Sequence, residues 1–163
     1  MAIKPSKPRR PRRPPTPEQI KRREERAYTR RIQTTFKNAG FVHLPTSGIE
    51  RTFGKKKGEL DNVFVYKNVV LVCEDTISAT DNVRNHLKNK KLLFDEIASN
   101  KKEFIDWLEK TFTDEMTACG SYPANRYKVF FLYFSKVGVK LEADDIDLFH
   151  PVRVIQPSTF NYF

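Results

Sequence analysis

Gly58-Glu59-Leu60-Asp61-Asn62-Val63-Phe64-Val65-Tyr66-Lys67-Asn68-Val69-Val70-Leu71-Val72-Cys73-Glu74-Asp75-Thr76 is the stretch whose reading decides the fold. Its two Val-rich runs meet at Lys67-Asn68, the pattern of a β-hairpin with a turn less typical than Asn-Gly. A turn at those residues pairs Tyr66 with Val69, Val65 with Val70 and Val63 with Val72. It also sets Asp61 opposite Glu74 and Glu59 opposite Thr76. Side chains two residues apart share a face, so Glu59, Asp61, Glu74 and Thr76 would line one edge of one surface. Opposed strand residues have Cβ atoms ~5 Å apart, where like charges repel. Asp61 and Glu74 therefore call for a cation between them or a proton on one of them. A divalent metal ion is one such cation.

Upstream of the hairpin the chain turns basic. The 163 residues hold 30 Lys and Arg against 20 Asp and Glu, a net charge of +10. Residues 1–31 carry 12 of the basic groups and only 3 of the acidic ones, leaving 18 against 17 in the remainder. A nearly neutral domain thus bears a cationic tail, which points to a polyanion as partner, most simply nucleic acid. In residues 1–17, Pro5, Pro8, Pro11, Pro14 and Pro17 recur every third residue, the period of a polyproline II helix. Arg9, Arg10, Arg12 and Arg13 fill the gaps, giving an extended, disordered arm suited to phosphate contact or a minor groove. The same Pro-x-x-P pattern suits an aromatic groove on a protein partner.

Thr16, Pro17 and Gln19 predict a capped helix start. Ile20, Ala27, Tyr28, Ile32, Phe36 and Ala39 give it an apolar stripe, Gly40 ends it, and Lys21, Arg22, Arg23, Arg26, Arg30 and Arg31 face outward. Phe41 to Leu44 reads as a strand and Pro45 to Gly48 as a turn. Residues 52–58 read as a basic loop, in which Lys55, Lys56 and Lys57 either balance the nearby carboxylates or bind phosphate.

After the hairpin, Ser78 or Thr80 caps a helix to about Ala98 built on Val83, Leu87, Phe94 and Ile97. His86, Lys88, Lys90 and Lys91 surround that stripe, His86 as a surface or boundary residue. Asn100 and Glu103 open a further helix to about Phe112 on Phe104, Ile105, Trp107 and Leu108, all core material. Residues 113–126 read as a loop, and Tyr127 to Phe134 as a central strand, apolar on both faces. The carboxylates of residues 141–147 lack the order of a calcium loop and read as a solvated acidic patch. Val152 to Ile155 reads as a last edge strand. The apolar end, Phe160 to Phe163, either packs back or leads into a longer protein.

Length suits one domain, residues 18–163, behind the arm. Cys73 and Cys119 show no zinc-type spacing and read as reduced structural thiols, the second in a loop. No apolar run approaches the ~20 residues of a membrane span, and the basic N-terminus lacks the apolar core of a secretory signal. A cytoplasmic setting is the expectation.

The order helix, strand, Gly-Glu-Leu-Asp, hairpin, apolar strand ending in Glu, helix, strand resembles the PD-(D/E)xK restriction-endonuclease-like superfamily over about residues 18–134. The resemblance implies an α/β fold with a three-layer core, a central mixed β-sheet flanked by helices. It implies that Asp61 and Glu74 hold Mg²⁺ or Mn²⁺, with Glu50, Glu24 or Glu25 as a further carboxylate. The motif lysine is replaced by Thr76, whose hydroxyl can bond a water but brings no positive charge. Lys57, Lys88 or Lys90 would then supply the cation. The implied activity is metal-dependent cleavage of DNA phosphodiesters, with Asp61, Glu74, Thr76 and Lys57 catalytic. Arg9, Arg10, Arg12, Arg13, Arg22, Arg23, Lys55 and Lys56 would hold the nucleic acid. A catalytically inactive DNA-binding module on the same scaffold, and a protein-interaction domain using the arm, are the alternatives. The stretch from Glu59 through Ile97 also resembles the front portion of bacterial DGQHR-domain proteins, some of them linked to DNA modification and phage defence. The DGQHR segment itself is absent from this chain.

Overall fold

The computed structural model describes residues 8–78, 80–141 and 149–161. The central hairpin forms in the expected register. Strands β4 (Asn62–Tyr66) and β5 (Val69–Thr76) run antiparallel, pairing Tyr66 with Val69, Val63 with Val72 and Asn62 with Cys73. Lys67, at φ 51°, makes the tight turn. A weak turn dipeptide suffices because Asn68 is tied down from outside: its Nδ2 donates to the Arg126 carbonyl (2.8 Å), and its own carbonyl accepts from Lys128 N (2.8 Å).

Alternation along this hairpin builds two cores. Val63, Val65, Val70 and Val72 face one side of the sheet, and Phe64, Leu71 and Cys73 face the other. β1 (Val42–Leu44) adds antiparallel to β4, whereas β6 (Lys128–Ser135) and β7 (Val152–Ile155) add parallel beyond β5. The resulting five-stranded mixed sheet has the order β1-β4-β5-β6-β7, with β5 at its centre.

Helix α1 (Pro17–Asn38) covers the Phe64 side. Its start is capped as expected, with Thr16 and Gln19 bonding each other's backbone N–H groups at 3.2 and 3.1 Å. The stripe is shorter than its spacing implied. Tyr28 and Ile32 are buried, but Ile20, Ala27 and Ala39 are exposed, and all of residues 17–27 lie in solvent. A 22-residue helix is ~33 Å long and overruns a sheet of short strands. A short C-terminal helix α5 (Pro157–Phe160) tucks Phe160 against Tyr28 and Phe134, so this part of the apolar end packs back.

The Val63 side is covered by α2 (Thr80–Ser99), α3 (Lys101–Thr111) and α4 (Thr113–Cys119). Val83, Leu87, Phe94 and Ile97 are buried as a stripe, as are Phe104, Ile105 and Leu108. Helices on both faces make a three-layer α/β arrangement.

Four local expectations are corrected. The basic loop at 52–58 is a hairpin, β2 (Glu50–Phe53) with β3 (Lys56–Glu59), because Phe53 anchors it against Phe104 and Trp107. Residues 113–126 are not all loop: buried Met116 holds α4, and Ala124–Arg126 forms a 3-10 turn. Cys119 accordingly ends a helix, half-buried, while Cys73 is buried, and both are free thiols. Asn100 makes no side-chain cap; its Nδ2 donates to the Glu96 carbonyl instead. The acidic stretch of residues 141–147 lies, but for Leu141, outside the described residues. Among the described residues no helix is long and apolar enough to cross a membrane.

Candidate functional site

The strand ends of β4 and β5 open into a cleft of about 730 Å³ between α1 and α2. The pairing of Asn62 with Cys73 carries directly on to Asp61 and Glu74, which share the α2 side of the sheet with Val63 and Val72. The two residues are knitted by backbone: Asp61 N donates to Glu74 Oε1 (3.3 Å), and Asp75 N donates to Asp61 Oδ2 (3.2 Å).

The required cation is present, and so is the tendency to hold a proton. Lys90 of α2 places Nζ 3.1 Å from Glu74 Oε1, and donates to the Glu59 carbonyl at 3.1 Å. Glu74 is fully buried, and its Oε2 meets no hydrogen-bond partner among the described residues. Burial pushes the Glu74 carboxyl well above its usual range; a hydrogen bond and charge repulsion from Asp61 add to this, and Lys90 opposes it.

The remaining expected residues are placed as follows. Thr76 lines the cleft, its Oγ1 accepting from Ser78 N at 3.1 Å. Glu59 leaves the expected edge, because the chain breaks pairing at Leu60-Asp61 and Glu59 belongs to β3, accepting from Ser47 Oγ (3.3 Å) and Gly48 N. Lys57 also lies on β3, exposed, with Nζ 3.5 Å from Glu50 Oε2, and neither residue lines the cleft. Lys57 is therefore not brought to the carboxylate pair, whereas Lys90 reaches Glu74 from the helix that covers β5. Lys88 is exposed. Of the acidic residues on α1, Glu25 lines the cleft and Glu24 does not.

Arg9, Arg10, Arg12 and Arg13 are exposed on a segment without helix or strand, and Arg22 and Arg23 are exposed on α1, Arg22 pairing with Glu18 at 2.7 Å. Lys55 and Lys56 are exposed on the β2–β3 hairpin. The basic face of α1 begins within one turn of Glu25 in the cleft wall.

Several cleft residues were given no functional role by sequence reasoning. On the α1 side, Thr29 Oγ1 donates to both oxygens of Asp75 (3.2 and 3.0 Å). Burial and the nearby Asp61 raise the Asp75 carboxyl to about 6, the Thr29 bond opposing and Glu25 adding. Asn62 Oδ1 accepts from Gln33 Nε2 (2.9 Å) and meets His43 Nε2 (2.8 Å). Burial keeps His43 below the ordinary histidine range, hence neutral near pH 7. On the α2 side, His86 lines the cleft and meets the buried Tyr133 hydroxyl. Only the spacing of His86 and Lys90, one helical turn apart, carried a hint of this in the sequence.

Among the described residues no three His, Cys, Asp or Glu side chains gather as a metal cage. Two carboxylates with open space beside them are nonetheless within the habits of Mg²⁺, which takes one or two protein carboxylates and completes its shell with water and phosphate oxygens. Comparison with protein-family models, with curated proteins and with solved structures finds no match to this chain.

Proposed function

We propose that the chain is a nuclease-like domain of PD-(D/E)xK type that cleaves DNA phosphodiesters with Mg²⁺ or Mn²⁺, its motif lysine supplied by Lys90 from α2. The single observation that carries this reading is the Lys90–Glu74–Asp61 arrangement: an ammonium 3.1 Å from a buried carboxylate that is itself bonded to the neighbouring acidic residue. The unpartnered Glu74 Oε2 supports the fit of a cation, since a buried polar atom left without a partner is costly. Asp61 and Glu74 would hold the ion, which when bound polarises a phosphodiester and makes an attacking water more acidic. Lys90 brings positive charge to the place where the reacting phosphate gains negative charge. Its second bond, to the Glu59 carbonyl, fixes the ammonium in position. The exposed arginines of the arm and α1 would draw the polyanion toward the cleft.

The test is cleavage of plasmid and linear duplex in Mg²⁺ or Mn²⁺, beside an EDTA control. Wild-type protein cuts; Asp61→Asn and Lys90→Met each lose about a hundredfold or more of the rate while keeping DNA affinity within a few fold. Equal rates in wild type and both variants overturn the site assignment. The second reading, a binding module without chemistry, rests on Thr76 at the lysine position; DNA bound but uncut in both metals would establish it.

A further inference from the structure

His86 is held in the cleft wall by a part-buried hydrogen bond to β6. Tyr133 is fully buried on β6, and a phenol keeps its proton near pH 7. Among the described residues His86 Nδ1, 2.6 Å away, is the one hydrogen-bond partner of that hydroxyl, so its buried proton goes to the ring rather than being left unpaired. An imidazole that accepts at Nδ1 carries its proton on Nε2. Burial and Lys90 keep the ring neutral near pH 7. Among the described residues the cleft-lining His86 makes no further hydrogen bond, leaving Nε2–H as a donor in a wall that already holds Lys90 one turn along α2.

We propose that His86 is a substrate-binding residue, locked as the Nε2–H tautomer by the Tyr133 hydroxyl, that donates to a phosphate oxygen of a nucleic-acid strand lying beside Lys90. This deepens the nuclease reading by assigning a phosphate donor. A neutral donor adds affinity without displacing counterions, and this separates it from every lysine and arginine of the surface.

The experiment uses the full chain and a 12-base-pair duplex, in EDTA so that nothing is cut. Long-range ¹H–¹⁵N correlation spectra should show His86 as the Nε2–H tautomer, with its ring nitrogens shifting when duplex is added. His86→Ala should weaken binding three- to tenfold with the salt slope unchanged, and His86→Gln, which keeps an N–H donor, should recover part of the loss. Tyr133→Phe should reduce the fraction of the Nε2–H tautomer, read in the spectrum and independent of activity. An Nδ1–H or charged ring, an unchanged affinity, or a slope that falls by about one unit overturns the proposal. Cleavage that survives His86→Ala with unchanged affinity sinks this assignment alone; His86-dependent binding without any metal-dependent cleavage sinks the nuclease reading alone.

Discussion

At the scale of single residues, burial moves the titration of the cleft's carboxyl groups upward from where it lies in water. Asp75 titrates near 3.8 when exposed and at about 6 in the folded chain. Between those values the folded state holds a proton that the unfolded chain has released. The stability contributed by this group is therefore full below about 3.8 and lost as pH rises through about 6. In EDTA, Asp75→Asn should gain on wild type by a few degrees of thermal midpoint between pH 4 and pH 7, and thermal melts across that range check it. A difference that stays constant with pH would show that Asp75 carries no such load. The opposition of Asp61 to Glu74 was legible because a hairpin register is counted outward from its turn, and the turn was recognisable. Lys90 was legible only as one of three lysines, since spacing along a helix does not say which residue overlies a given strand. Tyr133 was not legible at all: a tyrosine inside Lys128–Ser135 reads as packing, and its one polar atom shows its use only when His86 is brought to it.

At the scale of elements, the division was read best where periodicity ran longest. The stripe of Val83, Leu87, Phe94 and Ile97 specified α2, and the Val-rich runs specified β4 and β5. The β2–β3 hairpin was hidden because Arg51, Lys55, Lys56 and Lys57 mask its alternation, and its one buried side chain, Phe53, anchors it. Truncating such an anchor should free the whole hairpin. Phe53→Ala is expected to cost about 3 kcal/mol, seen as a shift of the urea midpoint. Because the Glu59 carbonyl at the base of this hairpin holds Lys90, the same variant should lower cleavage as well. A normal rate at full occupancy would mean that Glu74 alone suffices to place the ammonium. The short α4 was missed for a related reason: seven residues present too few turns for a stripe, and only Met116 is buried. Likewise His43 and Asn62 meet through the β1–β4 pairing, whose register no local pattern announces.

At the scale of the whole molecule, charge and fold are kept apart. Residues 8–27 are exposed throughout, while the two cores are made by the chain from Tyr28 onward. Deleting residues 1–15 should leave the thermal midpoint within about one degree, weaken duplex binding about tenfold or more, and flatten the dependence of affinity on salt. An unchanged salt slope would remove the arm from the binding surface. The pairing of β5 with β6 has a further consequence, in time rather than in space. Val69 pairs with Lys128 and Thr76 with Ser135, each 59 residues along the chain, with α2, α3 and α4 between them. The carboxylates, the lysine and the tyrosine thus come together only after a long chain segment has closed on itself, a slow kind of contact. On a ribosome, the β4–β5 hairpin leaves the exit tunnel long before its partner strand exists. On the nuclease reading proposed above, a nascent chain carrying both acidic residues would still be harmless to the nucleic acid around it, and competence to cut would arrive only once β6 has closed on β5.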